Sequence, residues 1–302
     1  GTLDYTFDPG TGPNRAIYSI AIQDDEKIII GGEFGDYNEF KIDNLARLNK
    51  DGSLDNTFNS GSGPNNKINA IVIQDNGKII IGGDFTAYNG IVRSHITRLN
   101  VDGTIDYSFD PGMGADNNVL SIALQRDEKI IIGGCFFSYN GTESQFIARL
   151  DTNGSLDNSF NPGKEVNYFV QAIAIQNDDK IVVGGWFNSY NEITRKRIVR
   201  LNNNGTVDTT FDSSNGADNI INTVAVYNNG KILIGGEFNS YNGIERKFLA
   251  LLNNDGTLDI TFNKGTGANN IINTTLIQND GKLLISGKFT FFNGVVKNIL
   301  LA

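Results

Sequence analysis

The sequence predicts an all-β fold, a six-bladed β-propeller of four-stranded antiparallel blades, and three observations carry that prediction. First, the pattern Gly-[Ser/Thr]-[Leu/Ile/Val]-Asp-x-[Ser/Thr]-Phe begins at Gly1, Gly52, Gly103, Gly154, Gly205 and Gly256, always 51 residues apart. A period of this size marks a solenoid, a propeller or a tandem array. Second, short apolar runs are separated by Asn- and Gly-rich turns, and no window sustains the 3.6-residue period of a helix. Third, runs such as Ile79-Ile80-Ile81 do not alternate. A strand apolar on both sides must be covered on both faces, as a blade is by its neighbours.

The repeat that begins at Gly52 serves as the type. After the loop Asn59 to Asn66, Ile68 to Gln74 reads as a first strand. Its third position is small in every repeat (Ser19, Ala70, Ser121, Ala172, Thr223, Thr274), as expected where strands crowd together. Asp75-Asn76-Gly77 is a hairpin turn whose Gly supplies positive φ. The second strand runs from Lys78 to Phe85, and its Lys recurs at Lys27, Lys129, Lys180, Lys231 and Lys282. A connector over Ala87 to Ser94 leads to a third strand, His95 to Asn100. The turn Val101-Asp102-Gly103 then opens a fourth, Thr104 to Phe109. A Ser or Thr followed two residues later by Asp also suits a capped turn. The strand reading is preferred because four strands fill the repeat without an idle loop.

Six such repeats make one domain over residues 1–302. The chain begins with a lone fourth strand, Thr2 to Phe7, and ends with a lone third strand, Asn298 to Leu301. Pairing these in the last blade would close the ring and remove two exposed edges. Short turns gather at one end of the blades and the longer connectors at the other.

Composition narrows the partners. With 25 basic and 34 acidic residues the net charge is -9. That argues against nucleic acid or an anionic membrane, which call for basic surface. No apolar run has the length that membrane insertion needs. One Cys excludes an intramolecular disulfide and a thiolate metal cluster. The first residue is Gly rather than Met, so the chain reads as a processed product or an excised segment of something longer. The expected state is a monomer or a domain of a longer chain.

The Gly-[Ser/Thr]-Leu-Asp-x-[Ser/Thr]-Phe element and the Gly-Lys-Ile-Ile-Ile-Gly-Gly-x-Phe element of the second strand resemble the delta-60 repeat family, a bacterial β-propeller repeat. The resemblance covers the whole chain. It implies the propeller fold and a secreted or surface-attached protein, and it brings no catalytic residues. Ser286, Tyr227 and Leu251 depart from the pattern, the last standing where Arg47, Arg98, Arg149 and Arg200 do.

Candidate chemistry is sparse, and no cofactor, metal or catalytic residue is assigned. The turn containing Asn49, Asp51 and Asp55 carries oxygens enough to suggest Ca²⁺ but lacks a terminal bidentate Glu, and a tight turn needs the same residues. His95 is the lone His, and nothing in the spacing orients it toward Cys135. The Gly-Gly pairs lie within strands, so they read as sites of close backbone or ring approach rather than phosphate loops. Glu33, Asp84 and Glu237 share one repeat position. Two or three such acids would suffice for a glycosidase, although a solvated rim of charge is the plainer reading.

The repeats diverge on the long-connector end, where positions freed from packing become candidates for contacts. There Trp186 and Tyr168 replace polar or charged residues or Cys, Phe169 stands where other repeats carry Ala, Lys, Asn or Ile, and Phe137 lies in the preceding repeat and Arg15 in the first. Aromatics beside carboxylates grip sugar rings or peptides. The expectation is a non-enzymatic binding or adhesion module for an extracellular glycan or protein, with a structural spacer and a carboxylate glycosidase as alternatives. Trp186 and Phe187 must point to opposite sides of their strand, which places Trp186 toward solvent. If the N-terminal strand closes the last blade, deleting residues 1–8 lowers the melting temperature or causes aggregation. An unchanged melting temperature in calorimetry would count against that closure.

Overall fold

The computed structural model describes residues 4–163, 166–191, 193–262, 265–278, 280–296 and 300–301. It divides into two compact units, residues 2–157 and 158–302, with three repeats in each. Every repeat forms a three-stranded antiparallel sheet, which confirms the all-β propeller reading with six blades. In the second blade the strands are Ile68–Ile73, Ile79–Gly83 and Ile96–Leu99, with the second in the middle.

The middle strand is the core. Ile79, Ile80 and Ile81 are all fully buried, and so are their counterparts in the third, fourth and fifth blades. Burying one such side chain stabilises the fold by about 1.5–3 kcal/mol, so a strand of three anchors its blade. The turn before it matches expectation: Gly77 sits at φ 77°, and its N–H donates to Gln74 O at 2.8 Å.

The Gly-Gly pair ending this strand makes room twice. A Cβ on Gly82 would come within 2.7 Å of Val119 in the next blade. One on Gly83 would sit 2.2 Å from the carbonyl of Lys67, in its own blade. The close approach is therefore to backbone and aliphatic side chains, not to aromatic rings. The small third residue of the first strand has a second role where it carries a hydroxyl. Ser19 Oγ accepts the N–H of Ile71 at 3.0 Å, and Thr223 Oγ1 accepts that of Thr275 at 3.2 Å, each across a blade boundary.

Two expectations need correction. The fourth strand is reduced to one bridge, Leu99 with Ile105 in the second blade, after which the chain turns. The cause is Asp106, whose Oδ1 accepts both the N–H and the hydroxyl of Ser108, at 3.0 and 2.7 Å. A side chain that satisfies local backbone donors competes with the sheet ladder. The connector Ala87 to Ser94 in turn contains a small hairpin, Ala87–Tyr88 with Ile91–Val92. Its Asn89-Gly90 turn has φ of 49° and 74°, as a tight hairpin of this kind requires. Closure through Thr2 to Phe7 and Asn298 to Leu301 depends on residues 1–3 and 298–299, which lie outside the described residues; Asp4 to Phe7 form a turn.

The repeat motif encodes an ionic lock. Asp106 Oδ2 is 2.7 Å from Arg98 Nε and 2.8 Å from Lys78 Nζ. The Arg98 guanidinium also donates to Thr152 O at 2.6 Å in the next repeat and lies 5.1 Å from the centre of the Phe109 ring. Lys27, Arg47 and Asp55 repeat the arrangement, as do Lys180, Arg200 and Asp208. In the fifth repeat Leu251 replaces Arg and is buried, and Lys231 alone meets Asp259 at 2.7 Å. Removing one partner of a buried pair strands the other. Asp106→Ala should therefore cost about 3 kcal/mol in urea unfolding. Arg98→Leu, which copies the arrangement at Leu251, should cost clearly less; equal losses would contradict the central place given to the carboxylate.

Candidate functional site

The backbone fixes the aromatic cluster before its side chains do. Ile181–Gly185 is buried throughout, and the chain leaves it through Trp186, whose N–H donates to Phe169 O at 3.0 Å. The same bond is made by Asp84 to Lys67 and by Glu33 to Ala16, so it belongs to the repeat. Gly185 permits it, since a Cβ there would lie 2.3 Å from that carbonyl. Phe187 is fully buried while Trp186 is 40 % exposed, as strand alternation requires.

Tyr168, Phe169 and Trp186 meet on this surface. Tyr168 is 44 % exposed and stacks on Trp186, with centroids 5.7 Å apart and planes at 14°. Phe169 packs against both, 4.4 Å from Tyr168 and 6.4 Å from Trp186. Arg197, which sequence reasoning missed, donates to the carbonyl of Trp186. It occupies a recurring left-handed position, φ 68°, shared with Asn44, His95, Phe146 and Phe248. The result is a stacked Tyr168–Trp186 pair, half open to solvent, with Phe169 tilted against it and the Arg197 guanidinium on the Trp186 carbonyl.

The remaining candidates fall elsewhere. Phe137 is exposed and packs on Phe146, centroids 5.0 Å apart, in the unit of residues 2–157. Glu33 and Asp84 occur in that unit as well, joined by residues the sequence did not single out as a group. Tyr18 stands near Glu33, and its hydroxyl is pushed above the usual tyrosine range, first by burial and then by that carboxylate. Lys67 Nζ lies 3.2 Å from Asp84 and 5.8 Å from the centre of the Tyr18 ring. Asn69 Nδ2 donates to the same carboxylate at 2.8 Å. Glu237 is half-buried in the unit of residues 158–302, and Arg15 is exposed beside Ala16. Lys67 was visible as a divergent position; the Tyr18–Glu33 contact joins residues 15 apart and had no local signal.

The other motifs resolve as structural. His95 is buried, with Nδ1 3.0 Å from Gly83 O. The Cys135 thiol is pushed up to about 11, chiefly by burial and then by the Asp84 carboxylate, against a smaller opposing effect of Lys67. A thiol so raised is a poor nucleophile. In the acidic turn, Asp51 Oδ1 is taken up by the Ser53 N–H and hydroxyl, and Asp55 by its lock. Among the described residues no group of three or more His, Cys, Asp or Glu could hold a metal ion.

A family model described as a domain of unknown function (DUF5122) beta-propeller matches residues 23–58, 74–109, 125–160, 176–211, 228–262 and 278–301, one match in each repeat. No curated protein matches the sequence. Among solved structures, the chain is similar to the WD40 β-propeller domain of Doa1, with TM-score 0.63, 16 % identity, and 96 % of this chain and 83 % of that one covered. It is similar to virginiamycin B lyase from Staphylococcus aureus, with TM-score 0.54, 14 % identity and coverage of 98 % and 86 %. It is also similar to PorZ of Porphyromonas gingivalis, a surface component of the type-IX secretion system, with TM-score 0.52, 12 % identity and coverage of 88 % and 37 %. At these identities the likeness is one of fold.

Proposed function

The chain belongs to the DUF5122 β-propeller family, and on that footing we propose that it is a non-enzymatic binding or adhesion module of a secreted or surface protein, gripping an extracellular glycan through Trp186, Tyr168 and Phe169. The observation that carries the reading is the half-exposed stack of Tyr168 on Trp186. Parallel aromatic faces left open to water bind the apolar face of a sugar ring, and their edges are held rigid here by Phe169 and the Trp186 backbone. The surface location of PorZ, a protein of the same fold, is consistent with this setting.

A carboxylate glycosidase is less well supported. Asp84 is committed to Lys67 and Asn69. A general acid must instead keep its proton for the leaving group.

A glycan array, followed by titration of the hits while Trp186 fluorescence is recorded, tests the proposal. Trp186 is the one Trp in the chain, so the signal reports this surface alone. Binding should change its emission, and Trp186→Ala should weaken affinity about tenfold or more with the fold intact. Full affinity in that variant, or hydrolysis of a chromogenic glycoside that Glu33→Gln or Asp84→Asn abolishes, would overturn it.

A further inference from the structure

The connector from Asn188 to Arg197 carries three basic residues, Arg195, Lys196 and Arg197, against one acid, Glu192. Its counterpart in the first repeat, Gly35 to Asn44, carries Lys41 against Asp36, Glu39 and Asp43. On a chain of net charge -9 this is a local reversal of sign. The backbone sets the three cations beside the aromatic cluster. The Arg195 N–H donates to Asn188 O at 3.0 Å, and the Arg197 N–H to Phe187 O at 2.8 Å. Gly216 of the fifth blade leaves no room for a Cβ against the Lys196 carbonyl, so the segment packs within the unit of residues 158–302.

The positive charge here has no counter-ion. Among the described residues no carboxylate pairs with Arg195, Lys196 or Arg197, whereas Lys247, the counterpart of Lys196, pairs with Glu245 at 3.2 Å. Arg197 is the clearest case. Its Nη1 donates to the Trp186 carbonyl, and its Nε is buried with no hydrogen-bond partner among the described residues. Burial pulls the guanidinium below the usual arginine range. A desolvated cation is stabilised by an anion brought into hydrogen-bonding contact with it. The side chain as a whole is only half-buried, so an anion can reach it from solvent. At the same left-handed position His95 bonds Gly83 O and Phe146 packs on Phe137, partners that the protein itself supplies.

We infer that the glycan proposed for this surface is a carboxylated one, its ring lying on Tyr168 and Trp186 and its carboxylate taken by Arg197, with Arg195 and Lys196 adding positive field. The inference rests on the glycan-binding reading of the aromatic stack and names the class of sugar. A guanidinium presents paired N–H donors in one plane, which match the two oxygens of a carboxylate. Because Arg197 is held on the carbonyl of Trp186 itself, the cation stands beside the residue whose ring receives the sugar. A uronic acid and a sialic acid each join the two features in one residue, an apolar ring face and a carboxylate at its edge.

Oligogalacturonate against its methyl ester, and sialyllactose against lactose, titrated while Trp186 fluorescence is recorded, test this and tell the two acid sources apart. At least one acidic sugar should bind about tenfold or more tightly than its neutral counterpart. Arg197→Gln should abolish that preference, and Arg197→Lys, which keeps the charge without the planar fork, should retain part of it. The wild type gives a second readout that needs no variant: raising salt should weaken the acidic sugar and spare the neutral one. Equal affinity for acidic and neutral members, a preference that survives Arg197→Gln, or an acidic affinity indifferent to salt would overturn this inference and leave the glycan reading standing. No response to any of these sugars would also overturn it, the glycan array deciding the broader reading separately.

Discussion

Each of the first five blades depends on one carboxylate. Asp106 and its counterparts end the third-strand turn, bind the Lys that opens the middle strand, and in most repeats bind the Arg of the third strand. That Arg reaches on to a backbone carbonyl of the following repeat. One side chain thus ties the turn, the sheet and the next repeat together. The motif lettering follows: Asp accepts, Ser or Thr caps the turn, Phe lies under the guanidinium, and the leading Gly adopts φ near 90° where it accepts the buried Tyr hydroxyl. Leu251 shows which member can be spared, because Lys231 and Asp259 persist without the Arg.

This division of labour explains where function can reside. The lock, the buried middle strand and the Gly pair engage the same positions in repeat after repeat. What remains free is the residue just beyond the Gly pair and the residues just before the first strand, which the repeat brings together through one backbone hydrogen bond. In the first two repeats those positions carry Glu33, Asp84 and Lys67, which pair with one another or with close neighbours. In the fourth they carry three aromatic rings. A scaffold of repeated packing therefore presents a different surface on each blade, without change to the fold.

The strands, the Gly-bearing hairpin and the opposed directions of Trp186 and Phe187 were legible because they follow from period and alternation, which are local. The fourth strand was misread because Asp106 satisfies nearby donors with its own side chain, and apolar spacing carries no trace of that competition. The small hairpin was legible in Tyr88-Asn89-Gly90-Ile91, a standard turn signal that a connector reading passed over. The lock joins Lys78, Arg98 and Asp106 across 8 and 28 residues; each recurs visibly, but only the sheet shows that they meet. Of the candidate site, the aromatic trio follows from two repeat positions, whereas Arg197 and Tyr18 enter through contacts that sequence position does not encode.

The central claim is that these carboxylates hold the blades as ions. Burial alone would raise Asp55, Asp106 and Asp208, but hydrogen bonds from Lys, Arg and the Ser or Thr of the turn outweigh it, so all three lie far below the usual carboxylate range. Asp259, held by Lys231 and Thr261, is depressed as well. A folded-state pKa below the unfolded value of about 3.9 contributes stability above that value and loses it as pH falls toward the folded one. Urea unfolding measured from pH 7 down to pH 2 is the direct test. The account predicts a plateau above about pH 5, then a steep loss of stability below about pH 4 that Asp106→Ala makes shallower. A wild-type curve flat through that acid range, or an Asp106→Ala curve just as steep, would contradict it.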